Sequence, residues 1–106
     1  MSHNPIIGKR KRSALGEDVL VLLSPTTGAV QWTLEEDGED IIDTRGTWIE
    51  RGSVFLALES CKMEIPIVAP EAGFCKYFVA PGEVVSERSL LAELTVVVGE
   101  IGRKEE

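Results

Sequence analysis

Lys62 is the residue of this sequence whose surroundings most suggest chemistry. It stands between Cys61 and Met63 in the stretch LESCKMEIPIVAP, with one glutamate a short step away on either side. Apolar runs at positions 54–58 and 65–68 flank it, so the lysine falls where two predicted strands meet. A lysine amine is almost wholly protonated at neutral pH and therefore reacts only where another group removes its proton. In isolation, Lys62 would be an ordinary solvated hairpin lysine.

Short apolar and β-branched runs, each closed by Gly, Pro or Ser, occupy most of the chain. No window of helical length keeps an apolar stripe at 3.6-residue spacing, and the pattern predicts an all-β sandwich or barrel. Pro66 lies inside one run, which indicates an edge strand. The predicted strands are Val19–Leu23, Ala29–Leu34, Thr47–Ile49, Val54–Leu58, Glu64–Val68, Phe74–Val79, Val84–Val85 and Leu90–Val98.

A weak internal repeat divides the predicted sandwich into two halves. A P-x-x-G pattern in residues 24–30 returns 45 positions later, and the segment 53–56 resembles the segment 89–92, which lies 36 positions later. The first half is therefore about nine residues longer, between Gly28 and Ser53. Two similar halves around one core predict a quasi-two-fold sandwich.

Glycines punctuate this pattern at strand ends, where a turn often needs positive φ. None belongs to a G-x-G-x-x-G or Walker pattern, so no nucleotide site is indicated. The predicted turn glycines are Gly28, Gly46, Gly52, Gly73 and Gly82.

The bulk properties indicate one small domain of 106 residues, 43% of them hydrophobic. A net charge of −7 argues against a nucleic-acid partner. No apolar run approaches the roughly 18–20 residues that span a bilayer, so no membrane association is expected. The absence of a signal peptide and the presence of only two cysteines favour a reducing, cytoplasmic location.

Charge is spread unevenly along the chain. Residues 9–12 read KRKR, a run that could contact RNA or a membrane but that is more typical of a solvated arm. The sequence predicts a flexible basic arm at residues 1–17, a domain at residues 18–98 and a tail at residues 99–106.

At residues 19–98 the sequence resembles the biotinyl/lipoyl attachment domain family. Ser60-Cys61-Lys62-Met63 occupies the A-M-K-M pattern of the biotin branch, whereas the D-K-A pattern of the lipoyl branch is not matched. The following Ile67-x-Ala69-Pro70-x-x-Gly73 continues the resemblance. Cys61 departs from it, since the family usually has methionine there.

The resemblance implies a flattened antiparallel β-sandwich of two quasi-two-fold halves, the "hammerhead" type, with Lys62 at a hairpin tip. It implies covalent biotin on Lys62, attached by a biotin protein ligase that recognises the flanking residues Ser60, Cys61 and Met63. The chain would carry carboxybiotin between a biotin carboxylase subunit and a carboxyltransferase subunit, without being catalytic itself. The closest match is the biotin carboxyl carrier protein of acetyl-CoA carboxylase, which implies acyl-CoA carboxylation and a role in fatty acid synthesis.

The extra length of the first half resembles the "thumb" of that carrier protein in position and length, though not in sequence. Its acidic side chains cannot enter a core, whereas a central glycine permits a tight reversal and two isoleucines could rest on the barrel. The residues of this predicted thumb are Glu35, Glu36, Asp37, Gly38, Glu39, Asp40, Ile41, Ile42 and Asp43.

Two other functions fit the same resemblance: a lipoyl carrier of an oxo-acid dehydrogenase complex, with lipoate on Lys62, and an unmodified interaction module.

The sequence gives little support for a thiol pair, a metal site or an activated serine. Cys61 is expected on an exposed tip and Cys75 in a buried strand, which argues against a thiol pair. His3 is the only histidine and lies in the predicted arm, so neither a metal site nor an activated serine is indicated.

Overall fold

The structure is a computed structural model that describes residues 2–34 and 46–96. The described residues form nine strands in two antiparallel sheets. Within these residues no helix has the length and hydropathy needed to cross a membrane. The strands are β1 (Ile6–Arg12), β2 (Asp18–Leu23), β3 (Gly28–Thr33), β4 (Thr47–Ile49), β5 (Val54–Ser60), β6 (Met63–Val68), β7 (Gly73–Tyr77), β8 (Val84–Val85) and β9 (Leu90–Val96).

The two sheets face each other across one core. The five-stranded sheet has the order β1-β2-β9-β7-β4 and the four-stranded sheet the order β6-β5-β3-β8. Their inner faces contribute fully buried residues such as Leu20 and Leu94 from the first sheet and Leu56 and Ile67 from the second. The predicted all-β sandwich is confirmed, and the strand with Pro66 lies at a sheet edge as predicted.

The eight predicted strands correspond to β2–β9, with end differences of at most two residues, and the predicted strand end at Val98 lies outside the described residues. The predicted thumb, residues 35–43, and the predicted tail, residues 99–106, lie outside the described residues. The basic segment differs from the prediction of a flexible arm, because Ile6–Arg12 form strand β1 and pair with β2 along its length.

The N-terminal segment joins the two sheets. His3 accepts a hydrogen bond from Val68 N–H at 2.9 Å and donates one to the Pro66 carbonyl at 2.8 Å, on the free edge of β6. Pro5 is buried where the chain crosses to the other sheet, and β1 then pairs with β2. These long-range backbone bonds order a segment whose residues 8–12 carry no strand signal of their own.

Contacts at matching positions confirm the quasi-two-fold relation of the halves. A Cβ at Gly28 would meet the Glu59 carbonyl oxygen at 2.8 Å, and a Cβ at Gly73 would overlap the Thr95 carbonyl oxygen. The glycines are 45 positions apart and their partners 36, which are the two spacings of the sequence repeat. Each half thus brings two strands together through the same close backbone approach.

The five predicted turn glycines therefore divide into two groups. Gly46, Gly52 and Gly82 have φ of 117°, 83° and 97°, which L-residues rarely adopt. Gly28 and Gly73 instead begin β3 and β7. Glycine is needed there because a Cβ would clash with the backbone of the neighbouring strand, and not because the position requires a turn conformation. The turn prediction is wrong for these two positions, because sequence spacing does not show how closely a neighbouring strand approaches.

Candidate functional site

Lys62 lies at the tip of the β5–β6 hairpin, where the sequence places it. Ser60 and Met63 are the last cross-strand pair, so Cys61 and Lys62 alone make the turn. Both have positive φ, 53° at Cys61 and 65° at Lys62. A two-residue turn with positive φ at both central positions is the type I′ turn that matches the twist of paired strands.

This turn holds two residues that rarely adopt such a conformation. Type I′ turns prefer Asn-Gly, and an ordinary L-residue in the left-handed region costs about 1–2 kcal/mol. The flanking strands impose the conformation, since they pair over six positions and Leu58 in β5 and Ile67 in β6 are fully buried. A slip of one residue would turn these side chains to solvent, so the register holds Lys62 at the tip.

The amine of Lys62 is open to a partner. The side chain is exposed, and among the described residues no carboxylate lies within ion-pair distance of it. Cys61 and Met63 beside it are also exposed, Met63 at 65%, while Ser60 is half-buried. Side chains that could be recognised by an enzyme therefore surround an accessible amine.

Two carboxylates face each other one pair below the tip. Glu59 and Glu64 are directly opposed on β5 and β6, and like charges at such positions repel. Trp32 on β3 donates a hydrogen bond from Nε1 to Glu64 Oε2 at 3.2 Å. This contact joins residues 32 positions apart, and no local signal in the sequence indicates it.

The other residues weighed for chemistry lie apart from the tip. Cys75 is buried at 1% in β7, as expected, whereas Cys61 is exposed. His3 pairs with Ile67, five positions along β6 from Lys62, which at about 3.3 Å per residue is roughly 16 Å away. The described residues thus bring no histidine to Ser60 or to the lysine.

The described ends of the segment 35–45 are both held against β7. Leu34 N–H donates to the Phe55 carbonyl at 3.0 Å, and the Tyr77 hydroxyl lies 2.6 Å from the same carbonyl and 2.9 Å from that of Leu34. At the other end, a Cβ on Gly46 would overlap the Cys75 carbonyl. Contacts with β5 and β7 therefore fix both Leu34 and Gly46.

Comparisons with known proteins agree with this geometry. The family described as "Biotin-requiring enzyme" matches residues 21–94. A "Biotinylated protein TB7.3 homolog" of Mycobacterium leprae is 37% identical over 57 residues, which are 53% of this chain and 80% of that protein. Both matches support the predicted cofactor, covalently attached biotin.

Two solved structures share the fold. A single-chain, multi-domain long-chain acyl-CoA carboxylase matches with a TM-score of 0.62 and 24% identity over 76% of this chain. The urea carboxylase of Kluyveromyces lactis matches with a TM-score of 0.58 and 22% identity over 79% of it. This chain spans only 7% of each of those proteins. Since the family match covers more than half of the chain, the protein belongs to the biotinyl/lipoyl attachment domain family as a biotin carrier domain.

Proposed function

We propose that this protein is the biotin carrier of a biotin-dependent carboxylase, with Lys62 as the attachment residue. The observation that carries the proposal is the position of Lys62, an exposed amine in a two-residue positive-φ turn. The family match supports a carrier function for this hairpin.

The chain's own residues present the amine but do not activate it. No histidine lies near the tip among the described residues, so the ligase must remove the proton from the Lys62 amine and supply an activated biotinyl group. The Lys62 nitrogen then displaces AMP from the biotinyl adenylate, and the amide that forms converts a charged side chain into a long neutral arm. The bound cofactor supplies a ureido nitrogen that accepts and releases a carboxyl group. Attachment to the hairpin turn restricts the positions that the carboxyl group on the cofactor can reach.

The partners that fit this function are a biotin protein ligase, a biotin carboxylase and a carboxyltransferase. The fold likeness to two carboxylases supports a carboxylase as the host enzyme. An acyl-CoA acceptor, as in acetyl-CoA carboxylase and fatty acid synthesis, is the acceptor that we propose, and the cytoplasm is the location.

A lipoyl carrier is the second candidate, because the family also includes lipoyl domains. The residues beside Lys62 favour biotin, since Met63 follows the lysine as in the biotin branch. Intact mass of the protein from its native host distinguishes a biotinyl group, a lipoyl group and an unmodified chain.

Lys62→Arg tests the attachment residue. Arginine keeps the charge and the reach but is not acylated in this way. We expect co-expression with a biotin ligase to label the parent chain and the control Lys76→Arg, and to leave Lys62→Arg unlabelled on a streptavidin blot. Lys76 is a suitable control because it is also exposed but lies within strand β7 rather than in the hairpin turn. Label that remains in Lys62→Arg would refute the assignment.

Cys61→Met tests whether a biotin ligase recognises the side chain of the residue before Lys62. Methionine is longer and more adaptable than cysteine, so it fills a groove better. We expect this variant to be biotinylated at least as fast as the parent. A large slowing would show that Cys61 belongs to a ligase pairing specific to this chain, or to a different modification.

The acidic segment 35–43 is proposed as a thumb that acts during carboxylation rather than in folding. Because its flanking residues Leu34 and Gly46 are held against β7, replacing 35–43 with a short Gly-Ser turn should preserve the barrel at a modest cost in stability. We expect ligase modification to persist and turnover with the carboxylase and carboxyltransferase subunits to fall. Unchanged turnover would refute the thumb, and unfolding would refute its placement.

A further inference from the structure

Strand β1 carries four consecutive cations at the edge of the five-stranded sheet: Lys9, Arg10, Lys11 and Arg12. All four side chains are exposed, on a chain whose net charge is −7. The strand also lies outside the residues 21–94 that the family match covers. Neither the core nor the hairpin therefore explains why this added strand is so basic.

The cations point to both faces of the sheet. Lys9 and Lys11 are opposite Val21 and Val19, whereas Arg10 is opposite Leu20, which faces the core. Since cross-strand partners share a face, the lysines lie on the outer face and Arg10 on the inner side. The edge of β1 thus offers positive charge above and below the plane of the strand.

Two of the four cations form ion pairs with described residues, and the other two do not. Lys11 Nζ lies 2.8 Å from Glu93 Oε2, and an Arg12 nitrogen lies 3.5 Å from Asp18 Oδ1. Lys9 and Arg10 make no ion pair with any described residue. On the outer face the positive surface continues along a groove of about 330 Å³ that Lys11, Arg12 and Lys76 line, with Glu93 as its one carboxylate.

The outer edge of β1 can also accept another strand. Among the described residues β1 pairs only with β2, so the backbone groups on its other side have no strand partner. A second copy presenting its own β1 would set cations against cations, which opposes pairing. An extended acidic segment of another protein would satisfy both the backbone groups and the charges.

We propose that the outer edge of β1 is a docking site for an extended acidic segment of a partner protein, which adds as a strand. Because cations lie on both faces, the segment must carry consecutive acidic residues rather than acids at alternate positions. A strand added to β1 extends the five-stranded sheet and does not pair with β5 or β6, the strands of the Lys62 hairpin. Such a site would hold the carrier near its enzyme and raise its effective concentration there.

The test is a titration of the ¹⁵N-labelled 106-residue chain with a synthetic eight-residue peptide. Its four central residues are consecutive Glu and Asp, flanked by Val and Thr. We expect saturable shifts centred on the β1 amides, with binding that weakens as NaCl is raised from about 50 to 300 mM. In the double variant Lys9→Gln/Arg10→Gln we expect roughly tenfold weaker binding. Arg51→Gln, which removes an exposed cation elsewhere, is the matched control and should bind like the parent.

Two further probes separate strand addition from simple charge attraction. The same peptide with alternate backbone nitrogens methylated keeps its carboxylates but cannot pair, and we expect it to lose binding. Equal binding of the methylated peptide would overturn the proposal, as would shifts spread evenly over all surface cations or no saturable binding. Tighter binding of an eight-nucleotide RNA or of phosphatidylserine vesicles would also overturn it, in favour of a polyanion or membrane contact.

Discussion

Replacing Cys61 tests whether the left-handed conformation of the hairpin turn costs free energy of folding. With φ of 53° at this position, asparagine should relieve strain and a β-branched residue should add to it. An ordinary residue in this region costs about 1–2 kcal/mol, so we expect Cys61→Asn to stabilise by about 0.7 kcal/mol and Cys61→Val to destabilise by about 1 kcal/mol. For a domain of this size, those changes shift Tm by roughly +3 °C and −4 °C.

Thermal unfolding followed by near-ultraviolet circular dichroism measures the global effect, and hydrogen exchange of the Met63 amide measures the local one. Exchange at Met63 should be roughly fivefold faster in Cys61→Val than in the parent. Ser60→Val is the control, because Ser60 is a strand residue with no positive φ and valine favours strands. Equal Tm and equal exchange for Cys61→Asn and Cys61→Val would refute the turn geometry.

Three further substitutions test the framework behind the site. Gly73→Ala should lower the free energy of unfolding in urea by about 2–4 kcal/mol, because its Cβ would meet the backbone oxygen of Thr95; a loss below about 1 kcal/mol would contradict that approach. Tyr77→Phe should cost about 1–2 kcal/mol in the same assay through loss of the hydroxyl bond to Phe55, and an unchanged midpoint would count against it. Arg88→Gly should raise Tm by roughly 2–4 °C, since Arg88 has φ of 74°; a lower Tm would show that its side chain contributes more than the strain costs.

Sequence reasoning succeeds where short-range patterns decide the structure. Short apolar and β-branched runs predicted β2–β9, and the family resemblance of the residues around Lys62 predicted its position at a hairpin tip. The two repeat spacings also predicted which residues of the first half correspond to which residues of the second half. These features depend on residues close together in the chain, or on a pattern that appears twice.

Long-range contacts account for what the sequence did not show. Strand β1 reads as a solvated arm, because residues 9–12 by themselves indicate neither the pairing with β2 nor the salt bridge from Lys11 to Glu93 on β9. The bond from Trp32 to Glu64 likewise needs three strands to be in place first. The left-handed turn lacks its usual Asn-Gly signature, so the conformation of Cys61 and Lys62 could not be predicted from residue types.

The parallel bridge between His3 and Ile67 has a practical consequence for making this protein. Because the N-terminal segment runs in the same direction as β6, the chain traced backwards from His3 heads along β6 toward Met63. An affinity tag or fusion partner joined ahead of Ser2 would therefore leave the barrel in the direction of Lys62. Such a fusion could hinder a ligase without altering any residue of the turn, so labelling yields are best compared before and after tag removal.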